Sequence, residues 1–244
     1  MKVILDEPRL LKESVNIISE LVSDVQIKFD SDKLEIIAMD PANVAMINFK
    51  LLSSSFVEYS VDGEETIAIN LDNFKQILGR AKANDSVILE LDNESNRLKV
   101  GLKGDGNRNF NLSLIDIREK EQKVPELKFP VSIDMNTLVF NDAVEDAAIV
   151  ADSIILSALK DELIIEANSH VSDAKVSIKN SDENNISFSA GDEDSVKAKY
   201  SVEYLKKIIK GSKLADKVSL KFGVDYPLKI DYSVMDRLKL TTIL

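Results

Sequence analysis

The chain has 244 residues, of which 42 are acidic and 31 basic, so its formal net charge is −11. A composition of 44% hydrophobic and 30% charged residues is globular, and the length fits one large domain or two of about 120 residues, each with a real core. Because the chain has no cysteine and one histidine, a disulfide framework, an iron–sulfur cluster, a cysteine-type zinc site and a thiol nucleophile are excluded.

Four segments have the i, i+3, i+4, i+7 spacing of apolar residues that is typical of amphipathic helices, at 8–22, 72–84, 138–152 and 202–214. Apolar and polar residues alternate in most of the remaining chain, which predicts strands. The predicted strands are 25–29, 34–39, 44–52, 87–91, 98–102, 110–115, 154–156, 163–167, 174–178, 186–188, 218–222, 228–232 and 238–243. Two helices and many antiparallel strands in each half predict an α+β fold in which helices cover sheets.

The two halves of the chain repeat each other. At an offset of 131 residues, apolar positions coincide through a helix and into a strand, from Leu71 with Val202 to Leu91 with Phe222. This indicates two copies of one unit, and a match between unrelated helix–strand units is the alternative.

A polar run from Arg118 to Lys123, closed by Val124-Pro125-Glu126, separates the two halves and is the best linker candidate. We therefore expect an N-terminal domain at 1–117, a linker at 118–129 and a C-terminal domain at 130–244.

Positive charge is concentrated on two of the predicted helices. Segment 202–214 has four lysines and one glutamate, and segment 72–84 has three basic residues and one aspartate. Segment 138–152 instead has four acidic residues and no basic one. The acidic total therefore does not exclude a local basic face.

The lysines of the fourth predicted helix form a cationic strip, because Lys206, Lys210 and Lys213 follow one another at one-turn intervals with Lys207 beside them. Lysine is a mobile point charge, and no set of base-reading side chains accompanies the strip, so it suits phosphates read without regard to base sequence. A solvated helix face is the alternative interpretation.

Candidate catalytic groups are few. His170 has no cysteine or second histidine with which to form a triad or a zinc site, and we expect it in a surface loop. The glycines at 101, 104 and 106 lack the Gly-Lys-Ser/Thr ending of a phosphate-binding loop, which favours a hairpin. Asp40 and Asp116 lie in a turn and at a strand end with no identifiable partner. We predict that the chain is not an enzyme and needs no metal or cofactor.

Several segments resemble the archaeal and eukaryotic sliding clamp family, proliferating cell nuclear antigen (PCNA). They are LEIIAMDPANVAMINFKL at 34–51, INLDNFKQILGRAK at 69–82, FNLSLIDI at 110–117 and YSVEYLKKIIKGSKLADKVSLKFG at 200–223. The resemblance runs from end to end, with the blocks in order. It implies two similar domains per subunit, each with two helices on antiparallel sheets, and subunits that close head to tail into a trimeric ring with the helices lining the hole.

The resemblance also implies which residues face DNA. Carried over from the corresponding helices, they are Arg9, Lys12, Lys75, Lys206, Lys207, Lys210 and Lys213. Glu145 departs from the basic character that is common on the third helix, so we expect this helix to contribute little to DNA binding.

Ring closure in the family pairs the strand around 108–115 with the strand around 173–179 of the next subunit. We accordingly expect Arg80, Lys82 and Arg108 to face Asp142 and Asp146 of the neighbour, with strand pairing and apolar residues supplying most of the affinity. The apolar interface residues are Phe110, Leu112, Val176 and Ile178.

An apolar pocket for PIP-box peptides is the third surface that the resemblance implies. Its residues would be Met39, Val44, Met46, Leu51, Val124, Pro227 and Ile243. Methionine adapts to several partners, although Met39 and Met46 also fit an ordinary core. Two departures affect this pocket: Gln122 replaces a large aliphatic residue of the linker, and the sequence ends at Leu244, where the family continues.

The resemblance implies a DNA sliding clamp, a polymerase processivity factor active in replication and repair. Its expected partners are double-stranded DNA, two further copies of itself, a clamp loader of the replication factor C type, DNA polymerase, flap endonuclease and DNA ligase, and no membrane. We expect it in the cytoplasm near the nucleoid of a prokaryote, or in the nucleus of a eukaryote. The alternative is an oligomeric interaction scaffold or a clamp homologue that does not encircle DNA.

Overall fold

The structure is a computed structural model that describes residues 1–117, 122–188 and 195–244. The chain divides into two units. The first comprises Met1–Val124 and Val234–Leu240, and the second comprises Pro125–Ser233 and Thr241–Leu244. The predicted linker residues 118–121 lie outside the described residues, and the predicted domain bounds stay a prediction.

The first unit contains two helices and nine strands among its described residues before the linker. Its elements are β1 (Lys2–Leu5), α1 (Pro8–Ile18), β2 (Asp24–Phe29), β3 (Lys33–Met39), β4 (Met46–Leu52), β5 (Glu58–Ser60), β6 (Glu65–Asn70), α2 (Leu71–Gly79), β7 (Ser86–Asp92), β8 (Arg97–Lys103) and β9 (Asn107–Ser113). One antiparallel sheet has the order β5-β1-β7-β8-β9, and a second contains β4-β3-β2-β6.

The second unit repeats this order of elements. They are β10 (Val131–Asn136), α3 (Thr137–Ala148), β11 (Ser153–Leu159), β12 (Glu162–Asn168), β13 (Asp173–Lys179), β14 (Asn185–Phe188), β15 (Ser195–Ser201), α4 (Val202–Ile208), β16 (Lys217–Phe222) and β17 (Lys229–Val234), before the last strand β18 (Leu238–Ile243). One sheet has the order β13-β12-β11-β15, and a second contains β14-β10-β16-β17. In both halves a strand, a helix, five strands, a helix and three strands follow one another, as the sequence repeat indicates.

Alternating burial builds the core of each unit. In β3 and β12 every second side chain is buried, and the helices turn their apolar residues onto the sheets. Phe74 of α2 and Phe140 of α3 are almost completely buried. No helix in the described part of the chain is both long enough and apolar enough to cross a membrane.

The helices are shorter than predicted, for local reasons. The first ends at Ile18, and Leu21 and Val22 continue the apolar pattern in tight turns whose N–H groups bond to Ile18. The second ends at Gly79 and the third at Ala148. The fourth is α-helical only to Ile208 and continues to Lys213 as a 3₁₀ helix.

Five strands were missed by the prediction, and several predicted strand bounds were wrong. The missed strands are β1, β5, β6, β10 and β15. Strand β15 alternates clearly, with Val196, Ala198 and Tyr200 buried, so its signal was present in the sequence. Strand β4 begins at Met46 instead of Val44, because the preceding turn includes Asn43 with φ 57°.

Candidate nucleic-acid and subunit interfaces

Three predicted DNA-facing cations lie on the helices of the first unit. Helices α1 and α2 pack against each other. Lys12 Nζ lies 3.4 Å from the carbonyl oxygens of Gly79 and Ala81, where a cation stabilises the carboxyl end of α2. Lys75 Nζ lies 3.9 Å from Glu20 Oε1, and Arg9 is more than half exposed. The cations therefore lie at the outer surface of this helix pair.

The four lysines of the predicted strip lie together in the second unit, and the strip changes geometry along its length. Lys206 and Lys207 are on α4, whereas Lys210 and Lys213 are in the 3₁₀ turn that follows it. A 3₁₀ helix has three residues per turn, so residues three apart point in the same direction. Lys210 and Lys213 therefore present their ammonium groups on one side, as a phosphate backbone requires.

Two lysines of the strip have carboxylate neighbours inside the unit. Lys206 Nζ lies 3.8 Å from Glu145 Oε2 of α3, and Lys207 Nζ lies 3.0 Å from Glu203 Oε1. Lys207 also lies 5.2 Å from the centre of the Tyr204 ring. Exposed ion pairs of this kind contribute about 0 to 1 kcal/mol, so phosphates can compete for both lysines.

Helix α3 presents an acidic and apolar face. Asp142, Glu145 and Asp146 are exposed, and so are Leu138 and Ile149. Such a face repels phosphates, and Glu145 reduces the charge that Lys206 offers. The expectation that this helix contributes little to DNA binding stays a prediction, and this geometry supports it.

Strands β9 and β13 are the edges of their sheets, because within the described residues each pairs with a neighbour on one side only. The predicted interface residues lie on these edges: Phe110 and Val176 are partly buried, and Leu112 and Ile178 are nearly buried. A groove of about 660 Å³ runs between α2 and β9, lined in part by Ile77, Phe110 and Ile115. Unpaired edges of this kind are suited to strand pairing with another chain.

Two of the three predicted interface cations have partners within the first unit. Lys82 Nζ lies 3.1 Å from Asp105 Oδ2. Arg108 donates to the Arg80 carbonyl oxygen at 2.8 Å and pairs with the buried carboxylate of Asp85. A hydrogen bond from the Lys82 backbone N–H, together with Arg108, holds the pKa of Asp85 below its usual range. Sequence reasoning did not assign a function to Asp85.

The predicted peptide-binding residues of the first unit lie around the turn between β3 and β4. Met39 and Met46 are directly opposite each other in the two strands, and Val44 is 46% exposed in the turn. The Asp40 carboxylate organises this turn by accepting the N–H groups of Ala42, Val44 and Ala45 at 3.2, 2.6 and 2.7 Å. This explains why Asp40 is a structural and not a catalytic residue.

Leu51 was assigned wrongly to that surface. It pairs with Leu34 on the buried face of the sheet and is 0% exposed, because successive residues of a strand alternate between faces and Leu51 is five positions from Met46. Val124 in the first unit and Pro227 in the second are partly buried, and Ile243 is nearly buried.

The single histidine is exposed in the loop between β12 and β13, as predicted. Asp116 is exposed after β9. In the part of the chain that the structure describes, no three His, Cys, Asp or Glu side chains are grouped as metal ligands.

Comparison with known proteins gives the same domain pair. The N-terminal domain of proliferating cell nuclear antigen matches residues 1–122, and its C-terminal domain matches residues 123–244. The chain belongs to the PCNA family. This confirms the family resemblance and the two-domain α+β fold. Because PCNA proteins are processivity factors, the prediction that the chain is not an enzyme is confirmed as well.

Relatives match over nearly the whole length. The chain is 36% identical to the DNA polymerase sliding clamp of Pyrococcus horikoshii, covering 93% of this chain and 90% of that one. It is 33% identical to the DNA polymerase sliding clamp of Thermococcus sibiricus, covering 100% and 96%. Among solved structures, PCNA from Thermococcus kodakaraensis has a TM-score of 0.92 at 28% identity, covering 100% of this chain and 98% of that one. The PCNA2–PCNA3 complex from Sulfolobus tokodaii has a TM-score of 0.88 at 26% identity, with the same coverage.

Proposed function

We propose that this PCNA chain is the subunit of a DNA sliding clamp, a processivity factor that encircles duplex DNA and tethers a DNA polymerase to it. The observation that carries the proposal is the similarity, over nearly the full length, to proteins named DNA polymerase sliding clamps. The separation of a basic helix surface from an otherwise acidic chain supports it, since a clamp must tolerate DNA inside without adhering to it outside.

Encirclement of DNA by a closed ring explains how the protein stays on DNA better than binding affinity does. Non-specific phosphate binding has a Kd of roughly 10⁻⁴ to 10⁻⁶ M at physiological salt, which permits sliding but does not hold a protein on DNA. A closed ring cannot dissociate sideways, so its lining needs only modest positive charge. The proposed lining residues are Arg9, Lys12, Lys75, Lys206, Lys207, Lys210 and Lys213.

The ring is proposed to close through strand edges. If β9 of one subunit pairs with β13 of the next, both edges become covered and the contact is head to tail, so three copies can close on themselves. Phe110 and Leu112 would then pack near Val176 and Ile178 of the neighbour. This contact would bury apolar surface and backbone hydrogen bonds together.

Charge sets the register of this contact in our proposal. Arg80 and Lys82 lie at the end of α2, and Asp142 and Asp146 lie one turn apart on α3. Opposite charges brought together across the interface would add about 0 to 1 kcal/mol per exposed pair. Arg108 already pairs with Asp85, so we assign it a smaller share across the interface than Arg80.

The surface around Met39, Val44 and Met46 is proposed to bind the peptides of client proteins. Val44 is 46% exposed, Met39 is partly buried and Met46 is buried beside them. A peptide would therefore meet an ordered apolar surface on a turn that Asp40 holds rigid, at low entropic cost. We propose a clamp loader, a polymerase, a flap endonuclease and a ligase as partners. Loss of binding to a PIP-box peptide in Val44→Asp, with a Val57→Asp control, would test the surface.

One observation favours a second function, that of a scaffold or clamp homologue that does not encircle DNA. Helix α3 exposes three acidic residues, and Glu145 faces a lysine of the proposed lining. An assembly without a cationic hole would follow if α3 dominated the lining.

The mass of the purified chain at micromolar concentration tests the proposed assembly. We expect three times the 27.1 kDa of the monomer by sedimentation or native mass spectrometry. A monomer at every concentration would contradict a ring of identical subunits.

A further inference from the structure

A buried carboxylate lies behind the proposed closing edge. Asp85 follows α2 in the loop that leads into β7, and its side chain is only 3% exposed. Its Oδ2 accepts the Lys82 backbone N–H at 2.7 Å, while its own N–H donates to the Lys82 carbonyl at 3.1 Å. These two bonds fix the loop between α2 and β7.

The same carboxylate reaches the edge strand. Arg108, the second residue of β9, pairs with Asp85 through Nη2 and donates through Nη1 to the Arg80 carbonyl oxygen. One guanidinium therefore joins the end of α2, the following loop and β9. Because a guanidinium is planar and its donors are fixed, the two bonds set the direction of β9 relative to α2.

The Asp85 carboxylate fills the space beside Gly104 in the hairpin before β9. A Cβ added to Gly104 would lie 2.0 Å from Asp85 Oδ1, and the next nearest atoms belong to Asp85 as well. The space over Gly104 is thus filled by the Asp85 side chain, and any residue other than glycine must displace it. Gly104 does not require a positive φ, so this contact is the reason for a small residue here.

We propose that Asp85 is a positioning residue for subunit closure. It holds β9 and the Arg80 backbone in the arrangement that a neighbouring subunit meets, without touching that subunit itself. The inference rests on the proposed function, because it takes β9 as the closing edge. It changes the role of Arg108 from an interface cation to the link between Asp85 and that edge.

The charges around Asp85 favour its ionised form. Arg108 and Lys82 approach it from β9 and from its own loop, and the exposed Asp105 is occupied by the Lys82 ammonium group. Removing the carboxylate leaves the Lys82 N–H and the Arg108 guanidinium without their acceptor. The loop and the edge then lose their common anchor, whereas the core behind α1 keeps its packing.

The test measures assembly and local order in the full-length chain. Asp85→Asn keeps the side-chain volume and removes the charge, and Asp85→Ala removes the acceptor. We expect the dissociation constant of the trimer to rise roughly tenfold to a hundredfold, the range that loss of a charged hydrogen bond produces. Glu58→Gln, which removes an exposed ion pair with Lys2 at β5, the opposite edge of the same sheet, is the matched control and should leave it unchanged.

A second pair of variants separates positioning from general destabilisation. Gly104→Ala should weaken assembly about as much as Asp85→Asn, because its Cβ displaces the carboxylate. In the Asp85→Ala background the obstructing atoms are gone, so adding Gly104→Ala should cause no further loss. Hydrogen exchange in the dilute monomer should become faster in β9 and stay unchanged in α1.

Three results would overturn the inference. The first is an unchanged trimer dissociation constant in Asp85→Asn together with a lowered melting temperature. The second is an additive effect of Gly104→Ala in the Asp85→Ala background, and the third is unchanged hydrogen exchange in β9 of the Asp85 variants. These differ from failure of the proposed ring: a wild-type chain that stays monomeric refutes closure itself, whereas a trimeric wild type with an unaffected Asp85→Asn variant refutes only the role of Asp85.

Discussion

Reversing the charge of Lys206, Lys207 and Lys210 to glutamate should weaken DNA binding without opening the assembly. All three side chains lie on or directly after α4, and none lies on the edge strands β9 and β13. Their positions allow the triple variant to test phosphate contact separately from subunit closure. We expect clamp loading and polymerase processivity to be lost while the trimer mass is unchanged.

The expected loss of DNA affinity can be calculated from the salt dependence of binding. Each neutralised phosphate adds about 0.9 to the slope of log K against log salt concentration. Exposed ion pairs such as that of Lys207 with Glu203 are weak enough for phosphates to replace them, so we count one phosphate contact for each of the three lysines. The triple variant should therefore lose about 2.7 from the slope for each subunit that contacts DNA, which is roughly a fortyfold difference in affinity between 50 and 200 mM salt.

Fluorescence anisotropy with a short linear duplex measures this slope, because a linear fragment reports contact without topological retention. The matched control is the reversal of Lys160, Lys197 and Lys199, three exposed lysines of the same unit that lie outside the helices. Both variants change the net charge equally. Equal slopes for the two variants, or a wild-type slope in the α4 variant, would refute the assignment of these lysines to the DNA-facing surface.

Three further predictions concern the interface, the acidic helix and the core. Arg80→Glu should weaken trimers in sedimentation experiments, and adding Asp146→Arg should restore part of the loss; a double variant no better than either single one would refute the pairing. Glu145→Gln should strengthen duplex binding a few-fold, since it removes a negative charge 3.8 Å from Lys206; unchanged anisotropy would contradict this. Phe74→Ala should cost about 3 to 5 kcal/mol in urea unfolding because Phe74 is 1% exposed, and a loss below 1 kcal/mol would contradict the described core.

Helices and most strands could be predicted from the sequence because each depends on a local period. The amphipathic spacing found all four helices, and alternation found most strands. The close packing after α4 could not be predicted, because it involves a distant residue: a Cβ on Gly211 would lie 2.3 Å from the Tyr232 ring, so the backbone packs directly against that ring. Nothing near Gly211 in the sequence indicates this approach.

Part of the candidate site could be predicted, because the basic residues are concentrated on particular helices of the sequence. The lysine strip is visible in the spacing of Lys206, Lys210 and Lys213, and the family resemblance added the strand edges. The prediction placed Leu51 on the wrong side of the sheet, because that side is determined by the register of β3 and β4 beyond the turn at Asp40. The link between Asp85 and Arg108 joins residues 23 positions apart, and only the tertiary structure brings them together.

Retention on closed circular DNA tests the central claim most directly. A labelled chain is loaded onto a nicked circle by a clamp loader, separated from free protein by gel filtration in high salt, and the circle is then cut once with a restriction enzyme. Encirclement predicts that the chain stays on the circle and leaves when the DNA becomes linear. Equal retention on circular and linear DNA, or loss from both at high salt, would contradict it.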